Sequence, residues 1–245
     1  MIKTYRIGSG KVISTMPQKG GAPEKDDFHC VVCGREIDGS YYIDNYGNKA
    51  CAIHGDDIRR CKDCGRIMSN EESVFINGLE WHCSFCHNDS VKDEAGARNI
   101  FNELISEYKV IGITGFDEST KIRLVTQSEG WVGRTVSSYD GCSYSFEILM
   151  LSPTHRLVFK STLAHEMLHT WVRINNIKTE SSSVEEGFCN LGTAWVLEKS
   201  HSEIGRMWLE NMEKDYDLRY GQGYRVMKNK LNKLGWKGLI ASLRP

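Results

Sequence analysis

Apolar positions recur at helical spacing in most of the second half of the chain and thin out in the first. Ala97, Ile100, Phe101, Leu104, Ile105 and Tyr108 fall on one stripe, with Lys92, Asp93, Asn99, Glu103 and Glu107 largely elsewhere, which predicts an amphipathic helix over residues 90–108. Residues 110–151 change to short β-rich runs, Ile122-Arg-Leu-Val-Thr and Ser145-Phe-Glu-Ile-Leu-Met-Leu, separated by turns at Gly112, Gly115, Gly130, Gly133 and Gly141. A small sheet is expected there, with the run from Ser145 as the edge on which an extended ligand pairs. Helical patterns then cover 157–174, 184–199, 204–212 and 224–234. Residues 1–27 are rich in Gly, Lys and Ser without sustained periodicity, so they are expected to be a flexible lead-in, with 5–13 as a candidate strand.

Composition narrows the classes open to such a chain. With 245 residues, 40% hydrophobic and 26% charged, it can bury one good core and carry a smaller module beside it. The formal net charge is −1, so no global field favours nucleic acid or an anionic membrane. Residues 1–17 lack the apolar stretch of a signal peptide, and no run approaches the roughly 20 apolar residues that span a bilayer. A cytoplasmic protein with neither nucleic-acid nor membrane partners is therefore expected.

Seven of the nine cysteines lie between Cys30 and Cys86, in a spacing that suits metal better than disulfides. The pairs Cys30-x2-Cys33, Cys51-x2-His54, Cys61-x2-Cys64 and Cys83-x2-Cys86 are separated by 17, 6 and 18 residues. Each pair can form a tight knuckle that offers two ligands to a tetrahedral zinc, and eight ligands fill two closed structural sites. Spacing alone leaves the pairing open between sequential and cross-braced sites. His29, His82 and His87 are spare neighbours, of which His87 is the alternative to Cys86.

The other chemical signal is His165-Glu166-Met167-Leu168-His169. Histidines at i and i+4 share one helix face, so both imidazoles can reach one zinc, while Glu166 is turned by about 100° and can reach a metal-bound water as general base. Chance would supply roughly 0.02 such motifs in a chain of this composition. A catalytic zinc needs a third protein ligand and one open position, and Val184-Glu185-Glu186-Gly187-Phe188 follows at a distance that lets a second helix pack back on the first. Glu186 is the expected ligand, because Asn190 one turn on shares its face and is expected to accept the outer N–H of a ligating histidine. Glu185 is expected to act from behind a ligand or towards substrate. Cys142 and Cys189 have no spacing that marks a nucleophile, and His155 and His201 are expected to be packing or surface residues.

The segments from Ser161 to Arg173, Val184-Glu-Glu-Gly-Phe-Cys-Asn190, Ala194-Trp-Val-Leu and Tyr220-Gly-Gln-Gly-Tyr-Arg225 resemble the plant growth-restricting, ubiquitin-activated LIM-peptidases, the "DA-one" family. That resemblance implies an α+β, gluzincin-like zinc metallopeptidase domain over 90–245 and an N-terminal two-zinc LIM-like, treble-clef-like module over 28–89. It favours sequential sites, Cys30, Cys33, Cys51 and His54, then Cys61, Cys64, Cys83 and Cys86, and, of Tyr220 and Tyr224, the two tyrosines beside glycines that could donate to the oxyanion, it points to Tyr220. It implies one catalytic and two structural zinc ions, internal cleavage of folded or ubiquitin-linked protein substrates, and ubiquitin or ubiquitinated proteins as partners. Only one cysteine module is present where the plant proteins have two. The alternative is a noncatalytic zinc-finger adaptor or RING-type ubiquitin ligase, since the same order of ligands resembles a cross-braced RING.

Overall fold

A computed structural model of the protein describes residues 13–14 and 28–243, in two compact units, one ending at Asp89 and the other beginning at Ser90. The expectations for 1–12 and 15–27 lie outside the described residues.

The first unit repeats one local plan twice. It comprises β1 (Ile13–Ser14), β2 (Tyr41–Ile43), β3 (Lys49–Cys51), a 3-10 turn (Ala52–Asp57), β4 (Ser73–Ile76), β5 (Glu80–Cys83) and α1 (Ser84–Asn88). In each half a knuckle closes by a backbone bond, Gly34 N–H to Cys30 O and Gly65 N–H to Cys61 O, both 2.8 Å. Gly34 and Gly65 take φ of 70° and 74°, left-handed values that only glycine adopts at no steric cost. A two-stranded antiparallel hairpin follows each knuckle, β2 with β3 and β4 with β5, and ends on the second ligand pair. β1 adds to the first hairpin through Ile13↔Tyr42 and Ser14↔Tyr41. The buried residues Cys30, Ile37, Tyr41, Ala50 and Ile67 form a core cluster, and the Ile67 amide donates to Asp44 Oδ2 at 2.6 Å to tie the halves together. Among the described residues of this unit few apolar side chains besides the cysteines are buried, which leaves metal a large share of the stabilisation.

The second unit is mixed α/β. Its elements are β6 (Ser90–Val91), α2 (Glu94–Val110), β7 (Lys121–Val125), β8 (Gly133–Tyr139), β9 (Tyr144–Leu151), β10 (Thr154–His155), α3 (Arg156–Ile174), α4 (Ser182–Ser200), α5 (Glu203–Lys214) and α6 (Gly221–Leu243). The helix expected from Ser90 starts later. Ser90 and Val91 instead pair with β10, and Asp93 caps α2 by accepting the Gly96 N–H at 2.7 Å. β9 is the centre of a three-stranded sheet, parallel to β7 and antiparallel to β8. The expectation of an edge from Ser145 is thereby corrected, because both sides of β9 are paired and, among the described residues, the edges are β7 and β8.

α3 is buried nearly all round, with Leu163, Ala164, Met167, Leu168 and Trp171 at 0% exposure. Tyr108 of α2 donates its hydroxyl to Ala164 O at 2.7 Å, fixing α2 against the middle of α3. α4 packs along α3 on another side, and α6 packs against α4 until φ of 64° at Gly235 breaks its helical path. No helix among the described residues is long and apolar enough to cross a membrane.

Candidate functional site

α3 begins where His155 Nδ1 accepts the Leu157 N–H at 3.3 Å, and α4 where Ser181 Oγ accepts the Val184 N–H at 3.3 Å. Between these caps the two helices run past each other with His165 and His169 facing Glu185 and Glu186. The imidazole Nε2 atoms of His165 and His169 lie 3.1 Å apart, and Glu186 Oε2 is 3.2 Å from the first and 3.4 Å from the second. A tetrahedral zinc with bonds of about 2.0–2.1 Å sets its N and O ligands roughly 3.3–3.4 Å apart, so the three atoms are spaced as ligands of one ion. Glu186 is 1% exposed, and its Oε2 accepts no well-formed hydrogen bond. Buried donors of this kind suit a cation.

The electrostatics agree with that fit. Burial disfavours the charged forms of both His169 and Glu186. The neighbours override it: Cys189, Glu185 and Glu186 hold His169 well above the usual histidine range, and His165 and His169 hold Glu186 well below the usual carboxylate range. The pocket therefore favours positive charge.

Behind the first ligands, His169 Nδ1–H donates to Glu185 Oε1 at 2.9 Å, so that Nε2 is the nitrogen that would give up its proton and offer a lone pair to a metal. Asn190 does not take that part. Its side-chain N–H donates to Tyr220 O at 3.3 Å, and its Oδ1 has no hydrogen-bond donor. The helical offset placed Asn190 on the right face, but the amide turns to the loop before α6. Glu166 is 3% exposed, and the Thr135 hydroxyl of β8 donates to its Oε2 at 2.7 Å, with Glu166 O at 3.1 Å as the other acceptor in reach.

A cleft of about 130 Å³ opens beside these groups, lined by Thr135, His169, Arg173, Ser182, Glu185, Glu186 and Arg219. Arg219 donates to Glu186 Oε1 at 2.7 Å. Tyr220, 7% exposed, is not among the lining residues. Cys189 was not singled out as a site residue by sequence. Its Sγ lies with one nitrogen each of His165 and His169 in a group of atoms all within 4.8 Å of one another. Burial pushes its thiol up to about 11, and Glu186 Oε2, at 3.2 and 3.4 Å from the two imidazole nitrogens, is the oxygen spaced as their co-ligand. Only its offset of three from Glu186 marked it in the sequence.

The cysteine unit brings its ligands together in sequence order, as Cys30, Cys33, Cys51 and His54, then Cys61, Cys64, Cys83 and Cys86. A cross-braced arrangement would have mixed the halves. Cys64 and Cys83 Sγ are 3.8 Å apart, the separation of about 3.8 Å that tetrahedral bonds of roughly 2.3 Å impose. Backbone N–H groups of Cys51 and Cys86 point at Cys30 Sγ (3.3 Å) and Cys83 Sγ (3.4 Å), as thiolate acceptors require. A backbone hydrogen bond from Arg35, with help from His54, pulls the Cys33 thiol down to about 6. Both clusters fit zinc. His82 is instead buried against Asp63, with Nε2 to Oδ2 at 3.0 Å.

A family profile described as DA1-like, Protein DA1, matches residues 132–205, which carry Thr135, His165, Glu166, His169 and Glu186. The chain is 35% identical to Protein DA1-related 7 of Arabidopsis thaliana over 77% of its own length and 40% of that protein. It is 27% identical to Protein DA1 of the same plant over 46% of the chain and 27% of that protein. The chain belongs to the DA1 family. It is also 25% identical to the LIM domain-containing protein HDR3 of Oryza sativa subsp. japonica, over 40% of the chain and 26% of that protein. The chain thus spans less than half the length of each of these curated relatives.

Proposed function

We propose that this DA1-family chain is a zinc-dependent endopeptidase that hydrolyses peptide bonds in protein substrates. The observation that carries the reading is the convergence of His165 Nε2, His169 Nε2 and Glu186 Oε2 at 3.1 to 3.4 Å from one another, beside a second buried carboxylate, Glu166. In this reading the second unit is a gluzincin-like domain, and zinc held by those three residues supplies a Lewis acid and lowers the pKa of water towards about 7.

Glu166 then takes the water's proton and returns it to the leaving amine. Thr135 occupies Oε2 and leaves Oε1 for that transfer. An extended peptide pairs with the free side of β8, which runs past Glu166 through Thr135. The loop that carries Arg219 and Tyr220 is the source of a donor for the developing oxyanion, with Tyr220 assigned by resemblance. The cysteine unit holds two structural zinc ions and presents a recognition surface, and ubiquitin or ubiquitinated proteins are the candidate partners.

The test is Glu166→Gln. The variant should keep three zinc ions per chain and its fold, while hydrolysis of a protein substrate falls by about 10²–10⁴-fold, because the amide cannot accept the proton. Undiminished turnover would remove the assignment.

A further inference from the structure

We propose that Arg219 is a positioning residue that holds Glu186 in its metal-binding orientation, and that the contact of Gly187 with Gly223 sets its reach. The inference rests on the metal-site reading given above and adds a residue to it from outside both helices of the site. Glu186 has two carboxylate oxygens with different tasks. Oε1 accepts from an Arg219 guanidinium nitrogen at 2.7 Å, while Oε2 is turned to the two imidazoles. Without Arg219, the buried carboxylate would keep its charge but lose the partner that fixes its rotation. The oxygen facing the histidines would then be one choice among several.

Arg219 is held from three sides. Asp217 Oδ1 accepts the backbone N–H of Arg219 at 2.8 Å and of Tyr220 at 2.9 Å, which curls the segment between α5 and α6. Ser183 of α4 donates its hydroxyl to Leu218 O at 3.0 Å, tying the curl to the first turn of α4, just ahead of Glu186. The start of α6 then presses on α4 without a side chain between them. A Cβ on Gly187 would meet Gly223 O at 2.2 Å, and one on Gly223 would meet Ser183 O at 2.3 Å. Only glycine at both positions lets the two backbones approach this closely. A guanidinium 38% exposed therefore reaches a carboxylate that is only 2% exposed.

The experiment measures zinc affinity by competition with a graded chelator on the full chain, for the wild type, Arg219→Gln, Arg219→Lys, Gly223→Ala and Glu186→Ala. The two cysteine clusters are the internal control. Arg219→Gln should weaken the site in the second unit by about 10–100-fold, the usual effect of removing a group that orients a ligand, and leave the cysteine sites unchanged. Arg219→Lys should recover part of the loss, since it restores charge without the planar fork. Gly223→Ala should weaken the same site although it alters no polar group. Retention of wild-type affinity in Arg219→Gln, alongside loss in Glu186→Ala, would overturn the role of Arg219 and leave the metal site standing. A wild-type chain with only two zinc ions would overturn both readings. Thermal melting of each variant separates a local effect from unfolding, and a variant that loses all three sites together counts against the proposal.

Discussion

Glu185 accepts the Nδ1 proton of His169 at 2.9 Å, so adjacent glutamates of α4 address the same imidazole from opposite nitrogens. The neighbours differ in kind: Glu186 offers an oxygen to the ion, and Glu185 fixes the ring that offers a nitrogen. Glu185→Ala should therefore weaken zinc at this site by about 10–100-fold, whereas Glu186→Ala should strip it under conditions that leave the cysteine sites filled. Zinc counts by native mass spectrometry after mild chelation decide the matter. Equal losses, or a larger loss from Glu185→Ala, would move the third ligand.

Thr135 gives a second test because its contribution is one hydroxyl. Thr135→Val keeps the shape but removes the donor to Glu166, and kcat should fall by roughly 10-fold with KM little changed, the size of one hydrogen bond to a charged group. Thr135→Ser should restore most of the rate. A valine variant with wild-type kcat would show that the contact does not orient the base.

The sequential grouping of cysteines predicts a separable failure. Cys33→Ala should release one zinc and expose Cys30 and Cys51 to alkylation, while Cys61, Cys64, Cys83 and Cys86 stay protected. Mass mapping of alkylated thiols reads the result directly. Loss of protection in both groups at once would mean that the two halves do not hold metal independently.

What the sequence made legible was whatever short spacing determines. The i, i+4 histidines sit on one face of α3 because helix geometry puts them there, and two-residue Cys pairs make knuckles for the same local reason. Glu166's partner is 31 residues away and Glu186's is 33 residues away, on a strand and a loop whose register depends on how the whole unit packs. No periodicity encodes that register. β8 itself was hard to see, since Gly133-Arg-Thr-Val-Ser-Ser-Tyr139 has little apolar alternation and is buried only at Gly133. The Asn190 expectation failed at the last step: its stripe was correct, but the direction of an amide is a tertiary matter.

The position of β8 at the rim of its sheet has a consequence for what can be cut. A rim strand offers backbone N–H and C=O groups to a newcomer only if the newcomer is itself extended, since a helix has already spent those groups on its own turns. If cleavage takes place beside Glu166, the site discriminates by conformational state before it discriminates by side chain. A well-folded protein would pass unless it offers a slack loop, a frayed terminus or a linker between domains, and the rate on a given protein would then follow how often such a stretch opens.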